Sequence, residues 1–82
     1  MKVIITGEAQ KQYNKLPKSE QLKVKKKLQS LENDPLIGKK LVGEFANFYG
    51  FRAWPYRIIY SIDVINKEIK IRSILHRQGV YK

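Results

Sequence analysis

The chain has 82 residues and no cysteine, and its 17 lysines and arginines outnumber its 7 acidic residues. This length fits one domain with a thin core, and the absence of cysteine excludes disulfides and thiolate metal sites. One histidine and scattered acidic residues do not suggest another metal site, so we expect neither metal nor cofactor. The net charge of +10 favours a polyanionic partner, with nucleic acid first and an acidic protein second. A lysine-rich surface kept for solubility is the plainer alternative.

The N-terminal sequence MKVIITGEAQ contains an apolar run of only three residues, which is too short for a signal peptide. No segment approaches the roughly 18–20 apolar residues that span a bilayer. We therefore expect one soluble, cytoplasmic domain over residues 1–82, with no membrane partner.

The first half of the chain predicts a strand followed by two helices. KVIIT (2–6) has the β-branched residues typical of a strand, and Pro17 separates the two helical patterns. The second pattern predicts an amphipathic helix over about residues 18–33, which Asn33, Asp34 and Pro35 end. The apolar residues at helical spacing are Ala9, Tyr13 and Leu16 in the first helix, and Val24, Leu28 and Leu31 in the second.

The second half predicts a loop and three strands. Residues 36–47 carry two glycines and form the loop, after which the apolar period changes from 3.6 to 2. The strands are NFYGFRAW (47–54), YRIIYSID (56–63) and EIKIRSILH (68–76). Short connections favour antiparallel pairing. The order β-α-α-β-β-β predicts an α+β domain in which both helices cover one face of a small, mainly antiparallel sheet.

Alternation along these strands directs arginines to the open face of the sheet. If the apolar faces meet the helices, then Arg52, Arg57 and Arg72 project from the opposite face, and Arg77 follows the last strand. The same alternation puts Ile74 and His76 on the arginine face. Guanidinium groups repel one another, and their planar fork matches the oxygens of phosphate. The pattern favours a phosphate-binding face, although ordinary exposed arginines on a solvated sheet would give the same sequence.

Three segments resemble the RelE/ParE superfamily of toxins from bacterial and archaeal toxin–antitoxin pairs. They are LVG (41–43), FRAWPYRIIYSI (51–62) and IRSILHRQGVYK (71–82), and the element order is also similar to that of the family. The resemblance covers nearly the whole chain. For the RelE branch, it implies a toxin that cleaves messenger RNA in the ribosomal A site and is inhibited by a cognate antitoxin. The implied chemistry uses the RNA 2′-hydroxyl as nucleophile and needs no metal.

Carried over to this sequence, the resemblance implies catalytic roles for Arg57, Arg77 and Tyr81. Fixed guanidinium groups would stabilise the charge that develops on the phosphoryl oxygens, and Tyr81 would stack on a base. We add His76 as a candidate for proton transfer, because an imidazole exchanges protons near neutral pH. The further RNA-binding candidates are Arg52, Arg72, Lys39 and Lys40.

Phe48 and Gly50 occupy positions at which some family members carry lysines, one of them a candidate general base. Neither residue can transfer a proton. This departure keeps two alternatives open: a non-catalytic toxin of the ParE branch that poisons DNA gyrase, and a degenerate RNA-binding homologue.

A small domain cannot cover all of its apolar residues, and an antitoxin could cover those that remain exposed. We expect an acidic, partly disordered antitoxin that folds on the helix pair and the following loop. Its acidic groups would lie near the lysines of the second helix. The candidate contact residues are Leu16, Lys23, Lys26, Lys27, Leu36 and Ile37.

Overall fold

The computed structural model describes residues 1–41 and 47–76 of the chain. In these ranges the two helices and four strands of the predicted order are present, and a two-residue strand within the predicted loop makes a fifth. The α+β prediction is confirmed. The strands are β1 (Lys2–Ile5), β2 (Lys39–Lys40), β3 (Tyr49–Ala53), β4 (Tyr56–Asp63) and β5 (Glu68–His76), and the helices are α1 (Gly7–Asn14) and α2 (Lys18–Asn33).

The five strands form one sheet in the order β1-β5-β4-β3-β2. The strands β2 to β5 pair antiparallel with their neighbours, and β1 pairs parallel with β5, with Val3 opposite Ile69. The parallel pair is possible because both helices connect β1 to the rest of the sheet. β1 and β2 are therefore the two edge strands.

The helices cover one face of the sheet and bury the predicted apolar stripe. Val24 and Leu31 have no exposed surface, and Leu28 is also buried. α1 has only eight residues, so its stability depends on this packing more than on intrinsic propensity. Neither helix in the described part of the chain is long and apolar enough to cross a membrane. The sheet residues of the core are Ala53, Ile58, Tyr60, Ile69, Ile71 and Ile74.

α1 also pairs with the backbone of β5 beyond the end of β1. The hydroxyl of Thr6 donates a hydrogen bond to the carbonyl of Ile71 at 2.7 Å. Farther along, the side-chain oxygen of Gln12 accepts a hydrogen bond from the amide of Ile74 at 2.6 Å. Buried backbone groups need such partners. The side chains of Thr6, just before α1, and of Gln12, in the second half of α1, thus replace the missing neighbouring strand.

β5 contains a bulge that shifts its alternation. Ile59 lies opposite Ser73, whereas the next residue, Tyr60, lies opposite Ile71. Arg72 is therefore the extra residue. Before it the odd-numbered residues of β5 face the helices, and beyond it the even-numbered residues do.

The bulge overturns the predicted faces at the end of β5. Ile74 pairs with Ile58 and belongs to the core, and His76 pairs with Tyr56 on the same, helix-covered side. The prediction that Ile74 and His76 lie on the arginine face was wrong, because strict alternation does not allow for an inserted residue.

Candidate nucleic-acid interface

Arg52 and Arg57 occupy facing positions on β3 and β4, on the face of the sheet away from the helices. Their strand neighbours Ala53 and Ile58 are buried on the helix side, so alternation directs both arginines outward, as predicted. Like charges directly opposite each other on paired strands are destabilising. Within the described ranges, the ion pairs of acidic side chains involve lysines and not these two arginines. An anion bound between the arginines would therefore relieve their repulsion.

The two arginines line a groove of about 480 Å³, which we call the arginine groove. One side is formed by the residues that enter and follow β2, and the other by β3 and β4. Because the groove combines positive charge with apolar side chains, it suits a ligand that has both a phosphate and a base. The lining residues are Ile37, Gly38, Lys39, Leu41, Gly50, Phe51, Arg52 and Arg57.

Gly50 provides space in the middle of the arginine groove. A Cβ atom added to Gly50 would lie 3.2 Å from Cδ2 of Leu41 and 3.4 Å from Cδ of Arg57. A larger residue would have to displace one of these side chains. The sequence suggested only that a family lysine was missing at this position, and although Leu41 belongs to the LVG segment that resembles the family, no local pattern placed it beside Gly50. Their approach depends on the pairing of β2 with β3, in which Lys39 lies opposite Gly50.

The two predicted loop lysines lie on different sides of the sheet. Lys39, opposite Gly50, lines the arginine groove, whereas Lys40, opposite Tyr49, lines a different groove on the helix side. The structure therefore brings Lys39, but not Lys40, to the arginines.

Arg72 extends the basic face but lies apart from the arginine groove. Its Nε donates a hydrogen bond to the hydroxyl of Ser61 at 3.2 Å. Ser61 is four residues beyond Arg57 on β4, a separation of about 13 Å along a strand. Arg72 could thus contact a neighbouring part of a long polyanion, but not the same phosphate.

His76 lies near the end of β5, on the opposite side of the sheet from Arg57. Its ring packs edge-on against that of Tyr56, with 5.3 Å between the ring centroids. Strand pairing therefore does not bring the imidazole to the arginine groove. Two other predicted catalytic residues, Arg77 and Tyr81, lie outside the described residues. Within those residues, no group of three His, Asp or Glu side chains is placed to hold a metal ion.

The apolar residues among the predicted antitoxin contacts lie at opposite ends of α2. Leu16 is half-buried against the core, at the N-terminal side of α2. Leu36 and Ile37 follow the C-terminal end of that helix and are 69% and 46% exposed. The 16 residues of α2 correspond to a length of about 24 Å. The exposed apolar residues at the C-terminal end are therefore separate from Leu16.

The lysines of α2 have different surroundings. Lys23 forms an ion pair with Glu20 at 3.2 Å and donates a hydrogen bond to the carbonyl of Trp54 at 3.1 Å. The Nζ of Lys27 lies 5.4 Å from the centroid of the Phe51 ring, at cation–π distance. Both lysines thus contact the β3 region, and Lys26 is exposed on the helix.

A second groove of about 610 Å³ lies beside Leu36, and we call it the apolar groove. Its wall includes Val64 in the turn after β4, which is 71% exposed, and the adjacent Ile65 is 92% exposed. Its residues come from distant parts of the chain, so the groove leaves no pattern in the sequence, and of its apolar lining only Leu36 was predicted to bind the antitoxin. Its apolar lining residues include Met1, Leu36, Tyr49, Ile62 and Val64.

Comparison with known proteins agrees with the family resemblance of the three sequence segments. Residues 3–81 match the family model described as the ParE toxin of the type II toxin–antitoxin system, parDE. The structure is similar to a chain of the RelBE2 toxin–antitoxin complex from Mycobacterium tuberculosis, with 31% sequence identity and a TM-score of 0.85. That match covers 93% of this chain and 96% of the other chain.

Two further solved structures are also similar. The archaeal RelE–RelB complex from Pyrococcus horikoshii has a chain with 27% identity and a TM-score of 0.74, covering 93% of both chains. A YoeB/ParE toxin from Agrobacterium tumefaciens has 15% identity and a TM-score of 0.77, and the match covers 93% of this chain and 98% of that chain. At that identity, the second match shows a shared fold alone. No curated protein sequence gives a significant match.

The family model and the solved structures agree over nearly the full length of the chain. The topology of two helices on a five-stranded sheet, with facing arginines on the central hairpin, is consistent with that agreement. The resemblance seen in the sequence is confirmed. The chain belongs to the ParE toxin family, within the RelE/ParE superfamily of type II toxin–antitoxin toxins.

Proposed function

We propose that this toxin is an endoribonuclease that cleaves messenger RNA in the ribosomal A site, with the reacting phosphate bound in the arginine groove. The observation that carries the proposal is the pair of facing arginines, Arg52 and Arg57. Both line one groove, and their charges are not offset by an ion pair with a described acidic residue. The planar forks of two arginines suit the oxygens of a phosphodiester.

In the proposed reaction, the RNA 2′-oxygen attacks the adjacent phosphorus. A bond forms between them, and the bond from phosphorus to the 5′-oxygen of the next nucleotide breaks. The 2′-hydroxyl gives its proton to a water molecule and the leaving 5′-oxygen gains one, which leaves a 2′,3′-cyclic phosphate and a 5′-hydroxyl. Arg57 and Arg52 stabilise the negative charge on the phosphoryl oxygens. Lys39 lines the same groove and is the candidate for delivering a proton to the 5′-oxygen.

The test is a primer-extension map of cellular messenger RNA after induction of the toxin. We expect codon-phased cuts with the wild-type protein and intact messages with Arg57→Ala. Lys25→Ala is the matched control, because it removes one positive charge from an exposed position on α2, away from the arginine groove. If both variants cut like the wild type, the arginine groove is not the site of cleavage.

The second candidate is a non-catalytic toxin that poisons DNA gyrase. It is favoured by Phe48 and Gly50 at the lysine positions of some family members and by the match to a model described as a ParE toxin. This function predicts a DNA-damage response with intact messages. The same induction experiment therefore distinguishes the two functions.

We also propose that an acidic antitoxin inhibits this toxin and that its apolar residues occupy the apolar groove. The similar chains from Mycobacterium tuberculosis and Pyrococcus horikoshii were both solved in toxin–antitoxin complexes. The net charge of +10 favours an acidic partner, and Leu36 and Val64 expose apolar surface at this groove. Opposite charges should make association fast and sensitive to salt, whereas apolar contacts should keep dissociation slow.

Stopped-flow mixing with the acidic product of the neighbouring open reading frame tests this partner. Raising salt from about 0.1 to 0.5 M shortens the Debye length from about 10 Å to roughly half. We expect the association rate to fall much more than the dissociation rate rises. A salt-independent association rate, or the absence of a complex at micromolar concentration, would contradict the proposal.

A further inference from the structure

The hydroxyl of Tyr60 is buried and forms two hydrogen bonds with the segment that follows α2. It donates to the carbonyl of Pro35 at 2.9 Å and accepts from the amide of Gly38 at 3.1 Å. Tyr60 has no exposed surface. A tyrosine hydroxyl is neutral at physiological pH and can donate, and burial raises the pKa of Tyr60 further above its ordinary value. Since an unpaired buried hydroxyl is unfavourable, both bonds hold the 35–38 segment against β4.

Gly38 packs so closely against Tyr60 that no side chain fits between them. A Cβ atom added to Gly38 would collide with the Tyr60 hydroxyl, and would lie 2.9 Å from the ring carbon Cε1 and 3.0 Å from the carbonyl oxygen of Gly50. Gly38 does not have a left-handed backbone conformation, so close packing alone accounts for the glycine. Three parts of the chain thus meet here: the segment after α2, β3 and β4.

The arginine groove begins immediately after this contact. Gly38 and Lys39 line the groove, and Leu41 continues the same wall beside Arg57 and Gly50. β2 has only two residues, and the amide of Leu41 adds one further bond to the carbonyl of Phe48 at 2.9 Å. So short a strand cannot hold the wall firmly through its own ladder.

We propose that Tyr60 is a positioning residue of the arginine groove, whose hydroxyl fixes the 35–41 segment at the distance from Arg57 that the bound RNA requires. This inference rests on the proposed nuclease function, since it assigns a role to a residue behind the same site. Tyr60 does not touch the substrate. It acts through Gly38 and the groove wall formed by Lys39 and Leu41. Small displacements of a positioned group can lower reaction rates by about 100-fold.

The test compares Tyr60→Phe with Tyr13→Phe. Each variant loses a hydroxyl that donates to a backbone carbonyl, to Pro35 in the first case and to Gln21, at 3.2 Å, in the second. The bond made by Tyr13 joins the two helices, away from the arginine groove. Both variants should therefore lose some stability, and only Tyr60→Phe should alter the groove.

Two measurements are made on the full chain, at a temperature where thermal unfolding shows each variant to be folded. For cleavage of messenger RNA bound to ribosomes, we expect kcat/KM to fall at least about tenfold in Tyr60→Phe and to remain near the wild-type value in Tyr13→Phe. For amide hydrogen exchange, we expect the Leu41 amide to exchange at least about tenfold faster in Tyr60→Phe, while the central amides of β4 and β5 keep their protection.

A second variant perturbs the same segment from the other side. Gly38→Ala retains the Tyr60 hydroxyl but pushes the segment outward, so it should reproduce the loss of activity and the faster exchange at Leu41. If Tyr60→Phe matches Tyr13→Phe in both measurements, Tyr60 is an ordinary core residue and the inference fails. If the wild-type protein cuts no RNA, the proposed function fails, and the exchange rates alone decide whether Tyr60 holds the groove wall.

Discussion

Under the proposed nuclease function, replacing Arg57 with alanine should strongly slow RNA cleavage while changing the stability of the fold very little. Removing one preorganised donor from a developing negative charge typically costs about 10²–10³ in rate, or roughly 2.7–4 kcal/mol. Arg57 faces Arg52 across paired strands and lines the arginine groove, so we expect a loss of this size.

The effect on stability contains two opposing terms. Removing Arg57 relieves its repulsion with Arg52, which is about 0.7 kcal/mol for two charges roughly 6 Å apart in water. It also removes a half-buried stem that lies beside Gly50, and burial of one methylene contributes about 0.8 kcal/mol. The two terms nearly cancel. We expect a change in the free energy of unfolding below about 1 kcal/mol, equivalent to less than about 4–8 °C in Tm for a domain of this size.

Single-turnover cleavage of ribosome-bound messenger RNA measures the first effect, and calorimetry measures the second. Arg57→Lys is the informative companion variant, because it keeps the charge but loses the planar fork, and its rate should lie between those of the wild type and Arg57→Ala. A folded Arg57→Ala variant that cleaves within about threefold of the wild-type rate would refute the assignment of Arg57 to the reacting phosphate.

Three further predictions test the core, the turn between β4 and β5, and the corrected position of the histidine. Leu31→Ala should lower the free energy of unfolding by about 2–5 kcal/mol in denaturant titrations, whereas the exposed Leu22→Ala should change it by less than about 0.5 kcal/mol. Hydrogen bonds from the backbone and side chain of Asn66 lower the pKa of Asp63. This stabilisation is present above the ordinary aspartate pKa and is lost as the pH falls through the lowered value. Asp63→Ala should therefore flatten the acid limb of the stability curve, and an unchanged limb would contradict the argument. His76→Gln should leave the rate of cleavage and its pH dependence unchanged, since the imidazole lies on the helix side of the sheet. A pH profile that becomes flat in this variant would restore His76 as a proton-transfer group.

Local signals determined most of the secondary structure. The bounds of α2 agree with the prediction of 18–33, because the apolar stripe is regular and prolines flank it on both sides. The last two strands were also predicted with their observed bounds, 56–63 and 68–76. β2 was predicted as part of a loop, because two residues are too few to show a period, and their pairing with β3 depends on the tertiary structure.

The bulge at Arg72 shows why alternation along a single strand mispredicted the faces at the end of β5. Alternation is a property of one strand, whereas a bulge is a mismatch between two strands. The sequence of β5 fits either phase, with Ile69 and Ile71 buried before the bulge and Ile74 buried after it. Only the register against β4 decides that Arg72 is the extra residue and that His76 lies opposite Tyr56.

The sequence by itself determined the fold class, the family and the outward direction of Arg52 and Arg57, because these depend on periodicity and on short patterns that are contiguous in the chain. The tertiary structure decided the shape of the site. Leu41 approaches the space at Gly50, and the Tyr60 hydroxyl bonds to the 35–38 segment. These contacts bring together residues that are far apart in sequence. Such contacts follow from strand order and register, which result from the packing of the whole domain and leave no local pattern.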